Sequence, residues 1–159
     1  MKELEHAVLL RKQGHLKESN GILIELVKRF PDDPMVQYQC AWSFDVLEQE
    51  EKAVCHYEKA IKLGLTGEEL RGAYLGLGST YRTLGEYEKS RDVFLDALKS
   101  FPDDRAMTTF YAMTLYNLKE YSEAMKLLLI NLADTSGDDN IRQYKSAIRF
   151  YSGDLDKTW

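Results

Sequence analysis

Three histidines, two cysteines and a cluster of glutamates are the residues whose types could do chemistry. His6, His15 and His56 could hold a metal ion only if two of them shared a face. No pair is spaced for that, and there is no His-Glu-x-x-His. Cys40 and Cys55 are not in a Cys-x-x-Cys or zinc-like spacing. Cys55 precedes His56, which would pair a nucleophile with a base, but neighbours on a helix point apart. Gly72-x3-Gly76-x-Gly78 hints at a phosphate-binding loop. Such a loop needs a strand before it, and these glycines lie inside a helical pattern, where they read as sites of close helix packing. Glu48, Glu50 and Glu51 read as a solvated acidic face. We therefore expect no catalytic site, no metal and no cofactor.

The elements that carry these residues repeat. Phe30-Pro31-Asp32-Asp33 recurs as Phe101-Pro102-Asp103-Asp104. A short turn followed by an amphipathic run ends on a small residue four times, at Ser19, Ala53, Ser90 and Ala124, with separations of 34, 37 and 34. Between these marks apolar residues fall three or four apart, as Leu70, Tyr74, Leu77 and Tyr81 do, which makes one helix face. Each unit is thus helix, tight turn, helix. Gly14 and Gly85 stand where a helix must stop. Pro31 and Pro102 end the second helix of their units, and the aspartates after them are placed to cap the next.

The spacing predicts helices over 2–13, 16–29, 34–47, 50–63, 68–84, 87–100, 105–118, 121–133 and 139–152. The longer connection at 64–69 gives the fifth an extra turn. The units run about 1–33, 34–67, 68–104 and 105–138 within a single domain of residues 1–159. The helix at 139–152 is expected to cap the end of the stack, and a tail follows at 153–159.

These residues resemble the tetratricopeptide repeat, a 34-residue helix–turn–helix with the pattern W-x2-L-G-x2-Y, then A-x3-F, then P. The third unit has Tyr74-x2-Leu77-Gly78-x2-Tyr81, Ser90-x3-Phe94-x2-Ala97 and Pro102. The second has Cys40-Ala41-x2-Phe44 and Ala53-x3-Tyr57-x2-Ala60, and the fourth Tyr111-Ala112-x2-Leu115 and Ala124-x3-Leu128. The first is weakest, with His6-Ala7-x2-Leu10 and Ser19-x3-Leu23. The fold this implies is all-α, a right-handed superhelix of antiparallel helix pairs. Ala7, Ala41, Gly78 and Ala112 should then be buried with Ser19, Ala53, Ser90 and Ala124 where helices cross closely.

The resemblance also implies that the first helix of each unit lines a concave surface. Its inward residues include Leu4, Val8, Arg11 and Lys12; then Tyr38, Trp42, Asp45 and Val46; then Leu75, Ser79, Arg82 and Thr83; then Thr109, Met113, Tyr116 and Asn117. The capping helix adds Tyr144, Ile148 and Tyr151. From these, a peptide-binding groove of Tyr38, Trp42, Leu75, Arg82, Met113, Tyr116, Tyr144, Ile148 and Tyr151 is expected. Tyr, Trp and Met are enriched in interface hot spots and adaptable surfaces. Arg11, Lys12 and Arg82 are placed to hold an acidic group at the rim. The carboxylate clamp of co-chaperone tetratricopeptide domains is absent, since Leu4, Val8, Tyr38 and Trp42 stand at its positions.

A non-enzymatic module that binds a protein or peptide is the function this implies. Two alternatives remain open at this stage. One is a self-assembling scaffold or homo-oligomer, suggested by the rich apolar run Ile22, Leu23, Ile24, Leu26 and Val27. The other is a sensor of a small signalling peptide, although no basic DNA-binding segment accompanies it. The net charge of −5 disfavours nucleic acid. No apolar run is long enough to span a bilayer, and the N-terminus lacks signal-peptide character, so a cytoplasmic chain with reduced thiols and no membrane contact is expected. In the tail, Leu155 and Trp159 lie four apart as apolar anchors, and Trp159 is expected to pack on Ile148 and Tyr151, in the same chain or in a neighbour.

Overall fold

The computed structural model describes residues 1–158. The docking expected of Trp159 lies outside the described residues. Among those residues there are ten helices and no strand. They are α1 (Lys2–Lys12), α2 (Leu16–Arg29), α3 (Pro34–Asp45), α4 (Glu50–Lys62), α5 (Gly67–Thr83), α6 (Tyr87–Ser100), α7 (Arg105–Asn117), α8 (Tyr121–Thr135), α9 (Asp139–Gln143) and α10 (Lys145–Ser152). The chain forms two compact units, Met1–Glu86 and Tyr87–Trp159.

Four turns share one geometry. His15, Gln49, Glu86 and Glu120 each donate a backbone N–H to the carbonyl five residues back, at 2.9–3.0 Å. This is the hydrogen bond that closes a helix when the residue before it is left-handed. Gly14 and Gly85 fill that place in two turns, with φ of 88° and 78°. Glu48 and Lys119 fill it in the other two, with φ of 57° and 65°, where a side chain is strained. Asp33 caps α3 by accepting from Met35 N and Val36 N at 2.9 and 3.1 Å, and Asp104 caps α7 by accepting from Met107 N at 2.8 Å. Both aspartates follow the recurrent Phe-Pro-Asp, so the repeat is in part a helix-stop, helix-start signal.

In the first unit α1, α3 and α5 form one layer, and α2 and α4 pack against it. Ala7, Ala41 and Ala53 are fully buried at the crossings, and Gly78 is buried on α5. Ser19 occupies its small slot with a hydroxyl that donates to the Ala7 carbonyl at 2.7 Å. Two glycines of α5 answer tyrosines of the pair beneath. A methyl group at Gly72 would overlap the Tyr38 hydroxyl, and one at Gly76 would lie 2.5 Å from the Tyr57 ring. Gly72 and Gly76 are therefore packing glycines.

In the second unit α7 lies between α6 and α8. Ala112, Leu115 and Ala124 form a buried cluster with Tyr111 and Leu127 against it. Ser90 Oγ and Thr114 Oγ1 pair at 2.8 Å inside it. Asn131 ties α8 to α7, donating to the Arg105 carbonyl at 3.1 Å and to Thr109 Oγ1 at 3.0 Å. The single helix expected over 139–152 is two helices. The chain leaves the helical region at Tyr144 (φ −99°, ψ 13°), and only α10 packs on α8. Lys145 and Arg149, four apart on α10, both reach Asp134 of α8, at 3.4 and 2.6 Å.

Candidate functional site

The face of α3 in the first unit is organised around one indole. Trp42 is 41% exposed although its neighbours are buried. Arg11 reaches across from α1 and places its guanidinium 4.0 Å from the Trp42 ring centroid. Gln39, three residues before Trp42, holds that guanidinium from the side: Arg11 Nη1 donates to its carbonyl at 3.2 Å and Nη2 to its Oε1 at 2.5 Å. Tyr38 supports the other flank, with ring centroids 6.0 Å apart from Trp42 and 6.3 Å from Tyr57. The indole is thus held by a cation on one face and an aromatic beside it.

Electrostatics here follow from burial. Arg11 is only 8% exposed, and desolvation pulls its guanidinium below the usual value. Asp45, one turn beyond Trp42, is shifted the other way. Burial pushes its carboxyl up, against the opposing hydrogen bonds from Thr80 and Tyr57, each at 3.2 Å. Arg11 does not stand at the rim awaiting an acid. It is a buried strut under the indole, and Lys12 is the exposed cation of that turn.

The other expected site residues divide by unit. In the first, Tyr38 is 7% exposed and its hydroxyl fills the notch at Gly72, so it forms the wall beneath Trp42. Leu75 and Arg82 on α5 are half-buried. In the second unit Met113 and Tyr116 on α7 are exposed, and the Tyr116 ring meets Tyr121 edge-on with centroids 5.2 Å apart. Tyr144 and Tyr151 are exposed and Ile148 is half-buried. Tyr151 packs edge-on to Phe150, which the sequence reading left out of the surface.

A further surface was missed altogether. Tyr121, Met125, Leu128 and Leu132 are all exposed and form one stripe along α8. Their spacing of four, three and four is the signal that could have found them. In the run at 22–27 that suggested self-assembly, Leu23 and Leu26 are buried and Ile22, Ile24 and Val27 are half-buried.

Two of the residues with catalytic types, His56 and Cys40, have structural roles. His56 stacks on Phe44 (centroids 5.5 Å, 11° between planes), and its Nδ1 lies 2.7 Å from Gln37 Oε1. Gln37 donates its amide to the Pro31 carbonyl, so His56 is the donor to Oε1. Burial, with Lys59 nearby, holds the imidazole below its ordinary value and neutral at pH 7. Cys40 is buried, and desolvation pushes its thiol up to about 12, so it is no nucleophile. Cys55 is exposed. Among the described residues no three His, Cys, Asp or Glu side chains gather as metal ligands, and no helix is long and apolar enough to cross a membrane.

Helix pairs joined by left-handed turns, with small residues at each crossing, define a helical-repeat protein. Residues 34–155 match the family model described as Tetratrico peptide repeat, and the chain belongs to that family. It is 36% identical over 102 residues to a TPR repeat-containing protein of Methanocaldococcus jannaschii, covering 57% of this chain and 18% of that one. It is 24% identical over 181 residues to the aspartyl/asparaginyl beta-hydroxylase of Mus musculus, covering 86% of this chain and 24% of that one. The chain thus spans no more than a quarter of either curated relative. Two solved structures share the fold at low identity. The MamA RS-1 ArsTM double mutant superposes with a TM-score of 0.74 at 15% identity, over 94% of this chain and 83% of that one. YrrB, described as a TPR protein with an unusual peptide-binding site, superposes with a TM-score of 0.66 at 14% identity, over 98% and 87%. Tetratricopeptide arrays are protein-interaction modules and are in general non-catalytic.

Proposed function

We propose that the chain is a non-enzymatic protein- or peptide-binding module whose recognition face in the first unit is centred on Trp42. The observation that carries this is an indole left two-fifths exposed yet fixed from below by Arg11 and from the side by Tyr38. A repeat needs no exposed tryptophan for its own core. An indole held in one orientation loses little freedom when a partner covers it. Covering its exposed part, on the order of 100 Å², is worth roughly 2–3 kcal/mol at about 25 cal/mol per Å². Val46, one turn further along the same face, extends the apolar contact, and Lys12 adds a positive edge for an acidic residue of the partner. The peptide-binding site ascribed to YrrB is in keeping with this reading.

The test is affinity capture followed by mass spectrometry with the parent chain and with Trp42→Ala. Partners retained by the parent and lost by the variant, at unchanged helicity, are expected. A set of partners that Trp42→Ala leaves intact would sink this reading. In a Trp159→Phe background, Trp42 is the sole tryptophan and its emission should respond to the captured partner's peptide.

A further inference from the structure

We propose that α8 carries a self-complementary interface through which two copies of this chain pair about a two-fold axis. The equivalent positions on α4 are Glu50, Val54, Tyr57 and Ile61, three residues before to eight beyond the small slot at Ala53. There the next helix, α5, packs over them, and Val54 and Tyr57 are 9% and 2% exposed. On α8 the same positions are Tyr121, Met125, Leu128 and Leu132, and they are 53%, 47%, 38% and 43% exposed. The helix placed to cover them does not. Links to α8 include the ion pairs of Lys145 and Arg149 with Asp134, and the hydrogen bond that Ser122 donates to Asp156 of the tail. At about 100° per residue, Asp134 points roughly 150° away from the centre of the stripe.

Three properties of the stripe select a second copy as its occupant. First, the spacing reads the same in both directions. An antiparallel copy of α8 sets Tyr121 against Leu132 of its mate and Met125 against Leu128, in the four-three-four seam of a two-helix pair. A surface that complements itself under a two-fold rotation is what an isologous dimer requires. Second, the seam carries no charge. Glu123, Lys126 and Asp134 fall on the far half of the helix, so no buried charge opposes closure. Third, the area is adequate. With Tyr116 set edge-on to Tyr121 at one end, five side chains each expose about two-fifths to three-fifths of their surface. Taking about 200 Å² for each whole side chain gives roughly 500 Å². A standard interface buries about 800 Å² per partner, a little over half of it apolar, which is the same amount.

Sedimentation velocity of the full chain over a hundredfold range of concentration tests this. A concentration-dependent shift from one chain mass to two is expected, and Met125→Glu/Leu128→Glu should hold the chain at one mass with its helical spectrum unchanged. The register has its own readout. In a Cys55→Ser background, Met125→Cys and Leu128→Cys should form a disulfide-linked dimer when mixed under oxidation, and far less when each is oxidised alone. A single species of one chain mass at every concentration would overturn the proposal and leave the stripe to a partner of different sequence. A dimer that survives Met125→Glu/Leu128→Glu, or that is dissolved instead by Leu9→Glu at an exposed position of α1, would overturn it in favour of another surface.

Discussion

The pair α3/α4 in the first unit and the pair α7/α8 in the second are built on one pattern and end differently. Both have a capped first helix, a left-handed turn residue and small side chains at the crossing. In the first unit α5 lies over the pair, and its Gly72 and Gly76 admit Tyr38 and Tyr57. In the second unit α10 takes another side of α8, and the corresponding face stays open. The same slot in the repeat is therefore core in one place and surface in the other. What decides is the next helix: whether it has small residues to receive the tyrosines, or cations that draw it towards a carboxylate. A repeat motif specifies its own turn and crossing. It does not specify what covers its open side.

The contrast is sharpest at one slot. Tyr57→Ala should destabilise the chain by about 3–5 kcal/mol, because a fully buried ring leaves a cavity. Leu128→Ala, at the matching position of α8, should cost only about 1 kcal/mol in dilute solution, because its side chain is 38% exposed. Denaturant unfolding of both variants measures this, and equal losses would break the comparison.

Gly76→Ala should cost about 1–3 kcal/mol, since its methyl would meet the immobile Tyr57 ring. Gly72→Ala should also be destabilising, because its methyl would overlap the Tyr38 hydroxyl and lie 3.1 Å from Cζ of the buried ring. A Gly76→Ala midpoint matching the parent's would show that α5 can shift without penalty.

The two carboxylates at these contacts titrate in opposite senses. Asp45 is raised by burial, so the folded state binds its proton more readily than the unfolded chain. Its ionisation destabilises the fold as pH rises through the window from the unfolded carboxylate value to the raised one. Asp45→Asn keeps an acceptor for Thr80 and Tyr57, and should stabilise the protein at pH 7 but not below that window. Asp134 is lowered, first by the hydrogen bond from Arg149 and then by Lys145. Its contribution is present above the unfolded value and is lost as pH falls through the folded one. Asp134→Asn should loosen α10 at pH 7, seen as faster amide exchange over residues 145–152, and differ little from the parent at low pH. If both substitutions act in the same sense at pH 7, the assignment of the two environments is wrong.

The smallest effects should be alike in both units. Glu48→Gly and Lys119→Gly each relieve a left-handed side chain, and should stabilise by about 0.5–1 kcal/mol after glycine's own entropy cost. Thermal unfolding of the two variants measures this. A loss at either site would mean that its side chain, not its backbone, holds the turn.

The sequence by itself determined the first eight helices and the turns between them, but not the break at Tyr144. A turn, a cap and a small slot depend on residues a few places apart, so Asp33, Gly85 and Ala53 announce their roles locally. The extra turn of α5 was legible in the spacing before it. Three matters were decided only in the tertiary structure. Arg11 has the type of a rim cation, yet Gln39 and Trp42, 28 and 31 positions away, draw it beneath the indole. Tyr38 has the type of a groove residue, yet the missing side chain at Gly72 makes a notch that buries it. The stripe on α8 lay hidden in a segment apolar on nearly every side, Leu127 to Leu132, where no single face stands out. Which side was left open depended on a carboxylate at Asp134 drawing two cations from beyond a broken helix. Local rules govern backbone hydrogen bonds within a turn of helix. Burial is set by whichever distant residues arrive, and those are fixed by packing and charge across the whole unit.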